Sequence, residues 1–188
     1  LCDEALRVGR ILARLAPDDK ELHEEALKTL VEGIANEDPL IRGNALHALA
    51  ELGPPAKSAT PAIVGALHDA DHDVIVTALD ALSAIHPDDP KAIDALSALA
   101  GDFNSELRIR ACHVLGLIGP PAKAAVPALK PVLLSADESE RTVAAWALVQ
   151  IDPQPEFVKA ALPLMIHASR SDDPEVRVEA IETLEKIG

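Results

Sequence analysis

Apolar residues along the chain recur at i, i+3, i+4 and i+7, the period of a helix with one buried face. Ile41, Ala45, Leu49 and Leu52 make one such face, and Leu107, Ala111, Leu115 and Ile118 make another. The pattern also returns at long range. Leu30, Ile63, Leu96 and Leu129 are spaced by 33 residues, and so are Leu49, Leu82, Leu115 and Leu148. Ala45, Ala78, Ala111 and Ala144 hold a small-residue column, and Met165, Ala180 and Leu184 take the matching places after an insertion. Each segment ends on Leu or Ile and a breaker: Leu52-Gly53-Pro54, Ile85-His86-Pro87, Ile118-Gly119-Pro120, Ile151-Asp152-Pro153 and Ile187-Gly188. Leu15-Ala16-Pro17 carries the same signal upstream.

Short polar turns divide each segment into two helices, A and B. They are Asn36-Glu37-Asp38-Pro39, Asp69-Ala70-Asp71-His72-Asp73, Asp102-Phe103-Asn104-Ser105, Ser135-Ala136-Asp137-Glu138 and Ser171-Asp172-Asp173-Pro174. Asp38-Pro39 and Asp173-Pro174 predict an N-cap followed by proline at the first helical position. Asp137 with Glu140 predicts a capping box. The resulting A/B pairs span 20–56, 57–89, 90–122, 123–155 and 156–188, and residues 1–19 read as a partial repeat holding an orphan helix B. One hairpin cannot bury its apolar face alone, so stacking must complete the core. The fold class expected is all-α: an α-solenoid of about five helical hairpins and a leading orphan helix, in one repeat domain over 1–188.

Composition agrees. Of 188 residues, aromatic side chains are 2%, namely Phe103, Phe157 and Trp146, which argues against a β-sandwich or barrel. Lys and Arg number 17 against 31 Asp and Glu, a formal net charge of −14. Phosphate-backbone binding draws on clustered Lys and Arg, so this charge speaks against nucleic acid and against an anionic membrane. No apolar run approaches the roughly 20 residues of a transmembrane helix. Cys2 and Cys112 do not make a disulfide framework. No signal peptide is visible and the chain begins at Leu1, which reads as a piece of a longer protein; the compartment stays open, with the cytoplasm favoured.

The run Gly119-Pro120-Pro121-Ala122-Lys123-Ala124-Ala125-Val126-Pro127-Ala128-Leu129, with Asp173-Pro174-Glu175-Val176-Arg177, Ala180 and Leu184, resembles the HEAT-repeat family. It is closest to the short HEAT-like repeats first described in phycobilisome lyases. The resemblance implies a right-handed curved rod with helices B on the concave side. It implies helices A bent at Pro61, Pro127 and Pro163, with Pro131 a further breaker. It also implies that Arg42, Arg108, Arg141 and Arg177 tie to acidic residues of their own or the next turn.

Columns that change character between repeats are free of core duty. The most variable stripe follows helix B: Arg7, Arg10, Arg14; Asn44, His47, Glu51; Thr77, Asp80, Ala84; Arg110, His113, Leu117; Val143, Trp146, Gln150; Glu179, Glu182, Lys186. Trp146 stands in a column otherwise filled by Arg10, His47, Asp80, His113 and Glu182, which marks it as an interface anchor. Arg110 and His113 would flank it, a mixed surface suited to an acidic and apolar peptide. The arginines of the first helix and the glutamates of the last form a gradient able to orient a partner. The partner-binding set is therefore Trp146, His113, Arg110, His47, Asp80, Arg7, Arg10 and Arg14.

Catalytic chemistry finds little footing. Asp69, Asp71 and Asp73 mimic the start of a calcium loop, but Val74 and Asp80 stand where that loop needs glycine and glutamate. His23-Glu24 lacks the further His-Glu pairs of a HEAT-type iron hydroxylase. Cys112, in the column of Leu46 and Leu79, reads as a buried thiol. The expected function is a protein-interaction scaffold without catalysis, cofactor or metal. The alternatives are a bilin lyase or chaperone holding a tetrapyrrole in the concave groove, and a structural spacer. Uncapped array ends also offer a route to self-association.

Overall fold

The computed structural model describes residues 20–188. Among them are ten α-helices, three 3-10 helices and no strand. In chain order the α-helices are α1 (Lys20–Ile34), α2 (Pro39–Leu52), α3 (Thr60–Ala66), α4 (His72–Ile85) and α5 (Pro90–Ala100). They continue as α6 (Ser105–Ile118), α7 (Val126–Leu129), α8 (Glu138–Ile151), α9 (Pro155–Ala168) and α10 (Pro174–Ile187). Helices B are α2, α4, α6, α8 and α10. The described residues divide into two compact units, with the division between Ala92 and Ile93, inside α5.

The turns cap helices B as their sequences require. Asp38 accepts from the Leu40 amide, Asp71 from those of Asp73 and Val74, Asn104 from those of Glu106 and Leu107, and Asp173 from that of Glu175. Each cap satisfies a donor that the first helical turn leaves without a partner. At the C-terminal ends, Gly53 (φ 63°, ψ −138°) and Gly119 (φ 72°, ψ −140°) hold backbone angles that a Cβ would strain. His86 occupies the equivalent place in the left-handed region, at φ 51°.

The proline expectation for helices A divides. In two repeats the double proline starts a 3-10 helix, Pro54–Ala59 or Pro120–Ala125. Pro61 and Pro127 then lie in the first turn of the short helices α3 and α7, where a missing amide hydrogen costs nothing. Pro131 opens a third 3-10 helix, Lys130–Leu134. Pro163, by contrast, lies inside an α9 that runs through it unbroken. That repeat lacks the Gly-Pro-Pro entry, so its helix is already two turns long before Pro163 is reached.

In the first unit α2 and α4 pack side by side, with α1 and α3 against them. Leu30, Leu46, Leu49, Ile63, Leu79, Leu82 and Ile85 are fully buried there. In the second unit α6 and α8 pack together, and α8 and α10 both contact α9. Leu96, Leu115, Leu129, Leu148 and Met165 are its fully buried large side chains. Burying each such side chain is worth about 1.5–3 kcal/mol.

The arginine column ties the turns. Arg42 donates through Nε and Nη2 to the two carboxylate oxygens of Asp69, both at 2.7 Å, and through Nη1 to the carbonyls of Asn36 and Glu37. Arg108 reaches Glu140 of the next repeat and the Asp102 carbonyl. Arg141 and Arg177 bind only carbonyls of their own turns, Ser135 and Ala136, and Ser171 and Asp172, among the contacts described. Asp69 is thus an arginine partner, held below its usual carboxylate range by the Arg42 hydrogen bond, and Asp71 is a cap. The capping-box expectation at Asp137 is half met. Asp137 accepts from the Glu140 amide at 3.0 Å, but the Glu140 side chain turns away to Ser105, Ser135 and Arg108.

Cys112 is fully buried, and burial pushes its thiol up to about 12. A Cys2→Ser variant is therefore expected to show no thiol reactive toward a disulfide reagent at pH 8 until denaturant is added; rapid labelling of the folded variant would contradict this.

Candidate functional site

Helices α6, α8 and α10 present the variable stripe of the second unit along one surface. The stripe residues are joined sideways. Gln150 of α8 donates to the Thr183 hydroxyl of α10 at 3.1 Å and accepts from Lys186 at 2.7 Å. His113 of α6 stacks on the Trp146 ring of α8, with centroids 5.0 Å apart and planes 25° from parallel. Its Nε2 also lies 2.9 Å from Oε1 of Glu179 on α10. One imidazole thereby links three successive helices B.

His113, Trp146 and Glu179 border a groove of about 970 Å³. Ile109, Val143, Trp146 and Met165 supply its apolar part, and Glu138, Asp173, Glu175 and Glu179 its carboxylates. Arg110 and Arg170 are its arginines. Arg110 Nε is 3.3 Å from the Glu106 carboxylate one turn earlier, and His167 is 3.7 Å from Glu138.

Trp146 is more deeply buried than its polar column suggests. It is 7% exposed and forms part of the groove floor. The reason lies in Gly116, one helix away. A Cβ placed on Gly116 would come within 2.1 Å of the Trp146 ring, so the absent side chain is the space the indole occupies. Gly116 belongs in the description of the site and was not singled out by the stripe. The signal available was a glycine inside a helix B, where the other repeats carry Ala50, Ser83, Val149 and Glu185.

The other expected residues divide by place. His113 and Arg110 are half-buried and meet in the groove. His47 and Asp80 are exposed on α2 and α4, in the first unit, and His47 lies 3.7 Å from Glu51 on its own helix. Arg7, Arg10 and Arg14 lie outside the described residues. No cluster of three or more His, Cys, Asp or Glu suited to a metal ion occurs among the described residues.

A family model described as HEAT repeats matches residues 3–83 and 27–103, together more than half of the chain. The chain belongs to the HEAT-repeat family. No curated protein matches it in sequence. Among solved structures, the HEAT chain is similar to the complex of CpcE and CpcF of phycocyanin lyase from Nostoc sp. PCC7120. That match has 22% identity and a TM-score of 0.66 over 99% of this chain and 70% of the other. An archaeal HEAT-like repeats protein from Thermococcus onnurineus NA1 gives 19% identity and 0.62, over 100% and 80%. A designed armadillo repeat protein in complex with the peptide (KR)4 gives 20% and 0.62, over 100% and 98%. These likenesses establish the helical-repeat solenoid fold of the HEAT chain.

Proposed function

We propose that this HEAT chain is a protein-interaction module whose working surface is the groove along α6, α8 and α10. The observation that carries the reading is the groove itself. A half-apolar cleft with charged walls opens where the repeats are most variable, and three helices contribute to it. Concave sites with an apolar floor and a few placed polar groups are the usual form of a binding site. The fold is shared with proteins that hold peptides or protein partners, such as the designed armadillo protein with its (KR)4 peptide. A bilin reading is less well supported. An open tetrapyrrole stacks along aromatic faces, and Trp146 is the one Phe, Tyr or Trp side chain among the residues lining the groove.

The test must spare Trp146, whose loss would disturb the fold. The chain is used to capture partners from a lysate of its source, beside a Val143→Glu/Glu179→Lys variant and a Lys28→Glu control on α1, all first shown to be equally helical. The expected result is a protein held by the chain and by the control but lost by the groove variant. Equal capture by all three, or no capture by any, would remove the groove from consideration and favour a spacer role.

A further inference from the structure

We infer that the slot between the Trp146 ring and the Glu179 carboxylate, filled here by His113, receives an arginine side chain from a basic peptide. The inference rests on the groove being a binding surface. It deepens that reading by naming the chemistry of the ligand. His113 shows what the slot selects: a flat, nitrogen-bearing group lying parallel to the indole, with an N–H edge in reach of a carboxylate. Its ring lies 5.0 Å from the indole centroid and its Nε2 lies 2.9 Å from Glu179 Oε1. A guanidinium meets both conditions better than an imidazole. It is planar, always charged, stacks on aromatic faces and offers a donor fork that fits a carboxylate with two hydrogen bonds.

His113 is placed to yield. Its side chain is 36% exposed and that of Glu179 is 38% exposed. The His113–Glu179 pair is partly open to water, and ion pairs that water reaches are weak and readily exchanged. When the imidazole swings into solvent, it vacates both the indole face it stacks on and the Glu179 oxygen it meets at 2.9 Å. Trp146 itself cannot follow, because its ring is lodged over Gly116.

The walls favour a cation. Glu138, Asp173 and Glu175 join Glu179 around the groove, against Arg110 and Arg170, and the whole chain carries −14. Complementary charge of this sense steers a basic segment toward the site. The inference departs here from the acidic-peptide expectation of the sequence. Arg110 lies against Glu106 and His113 against Glu179, so the basic groups on which that expectation rested already face carboxylates of this chain.

Trp146 is the single tryptophan of the chain, so its emission reports the slot directly. The experiment titrates the whole chain at low salt with a capped Gly-Arg-Gly-Arg-Gly peptide, its citrulline counterpart and its lysine counterpart. Citrulline keeps the shape of arginine without the charge. The arginine peptide is expected to change the emission in a saturable way, the citrulline peptide to have no effect and the lysine peptide to bind about tenfold more weakly. Glu179→Gln is expected to weaken binding about tenfold, the loss of a charge-assisted contact. His113→Ala is expected to tighten it about threefold or more, because the stand-in is gone. His113→Ser serves the same purpose should the alanine variant lose helicity. Equal response to arginine and citrulline, or His113 variants that bind no tighter than the parent chain, would overturn the inference. If the arginine peptide fails while Val143→Glu/Glu179→Lys still abolishes capture of a partner, the slot is refuted and the groove stands. If both fail, the groove falls with it.

Discussion

Trp146→Ala is expected to lower the unfolding free energy by about 3–5 kcal/mol, the usual cost of truncating a buried large aromatic. The ring is 7% exposed, and the helix it leans on offers nothing to refill the space. Gly116 has no side chain, and a Cβ there would come within 2.1 Å of the ring. The cavity left by alanine would therefore persist beside bare backbone. Urea unfolding followed by circular dichroism measures the loss. A change within about 0.5 kcal/mol, the range of an ordinary surface substitution, would show that the ring is not packed as described. Gly116→Ala supplies the reciprocal check. In the parent chain it forces the ring off its seat, at about 1–3 kcal/mol. In the Trp146→Ala background the clash is gone, and the same change should stabilise by about 1 kcal/mol through helix propensity. A change of sign between the two backgrounds is the signature of the contact.

Glu140 carries the second large effect. Its side chain is 3% exposed. It accepts from the hydroxyls of Ser105 and Ser135 and pairs with Arg108, so two turns and a helix converge on one carboxylate. Those two hydroxyls first, and then the Arg108 guanidinium, hold it down to about 2. Glu140→Ala leaves Arg108 half-buried without its carboxylate and should cost about 3–5 kcal/mol. The pH dependence has a definite sign. The folded value lies below that of the unfolded chain, so the unfolded state binds the proton first as pH falls. The contribution of Glu140 is complete above about 4.5, the ordinary glutamate value, and is lost as pH drops toward about 2. Asp69, Asp88 and Asp152 are lowered as well and add to the acid limb in the same direction. Glu140→Gln should therefore flatten part of the limb between pH 4.5 and 2 and leave the rest. An unchanged acid profile would contradict the assignment.

The same residues show what could be read from the chain and what could not. Helices B were legible because their core columns recur every 33 residues and their caps are local: Asp38, Asp71, Asn104 and Asp173 each act on an amide two or three residues away. The arginine column was legible in part: Arg42 and Arg108 meet carboxylates of the next repeat, whereas the contacts described for Arg141 and Arg177 are to carbonyls of their own turns. Helices A were harder, because a proline acts differently at a helix start, as Pro61 and Pro127 do, and inside a formed helix, as Pro163 does. Glu140 was read as a capping partner since its third position after Asp137 fits one. Its actual partners include Ser105, 35 residues away, and no local rule places that hydroxyl. The polar column of Trp146 gave no sign of its burial. The burial is decided by Gly116 in the preceding repeat, a coupling between columns that a column-by-column reading passes over. His113 lies beside Trp146 as the repeat register places it, while its tie to Glu179 spans 66 residues and no local rule supplies it.

The central claim is that the surface of α6, α8 and α10 holds the partner. Amide chemical-shift mapping of the labelled chain, with and without the captured partner or its minimal peptide, tests this most directly. The account predicts that the largest shifts cluster at Ile109, His113, Val143, Trp146, Glu175 and Glu179, which line the groove. Largest shifts on the helix A side, at α3, α7 and α9, with the groove amides unmoved, would contradict it.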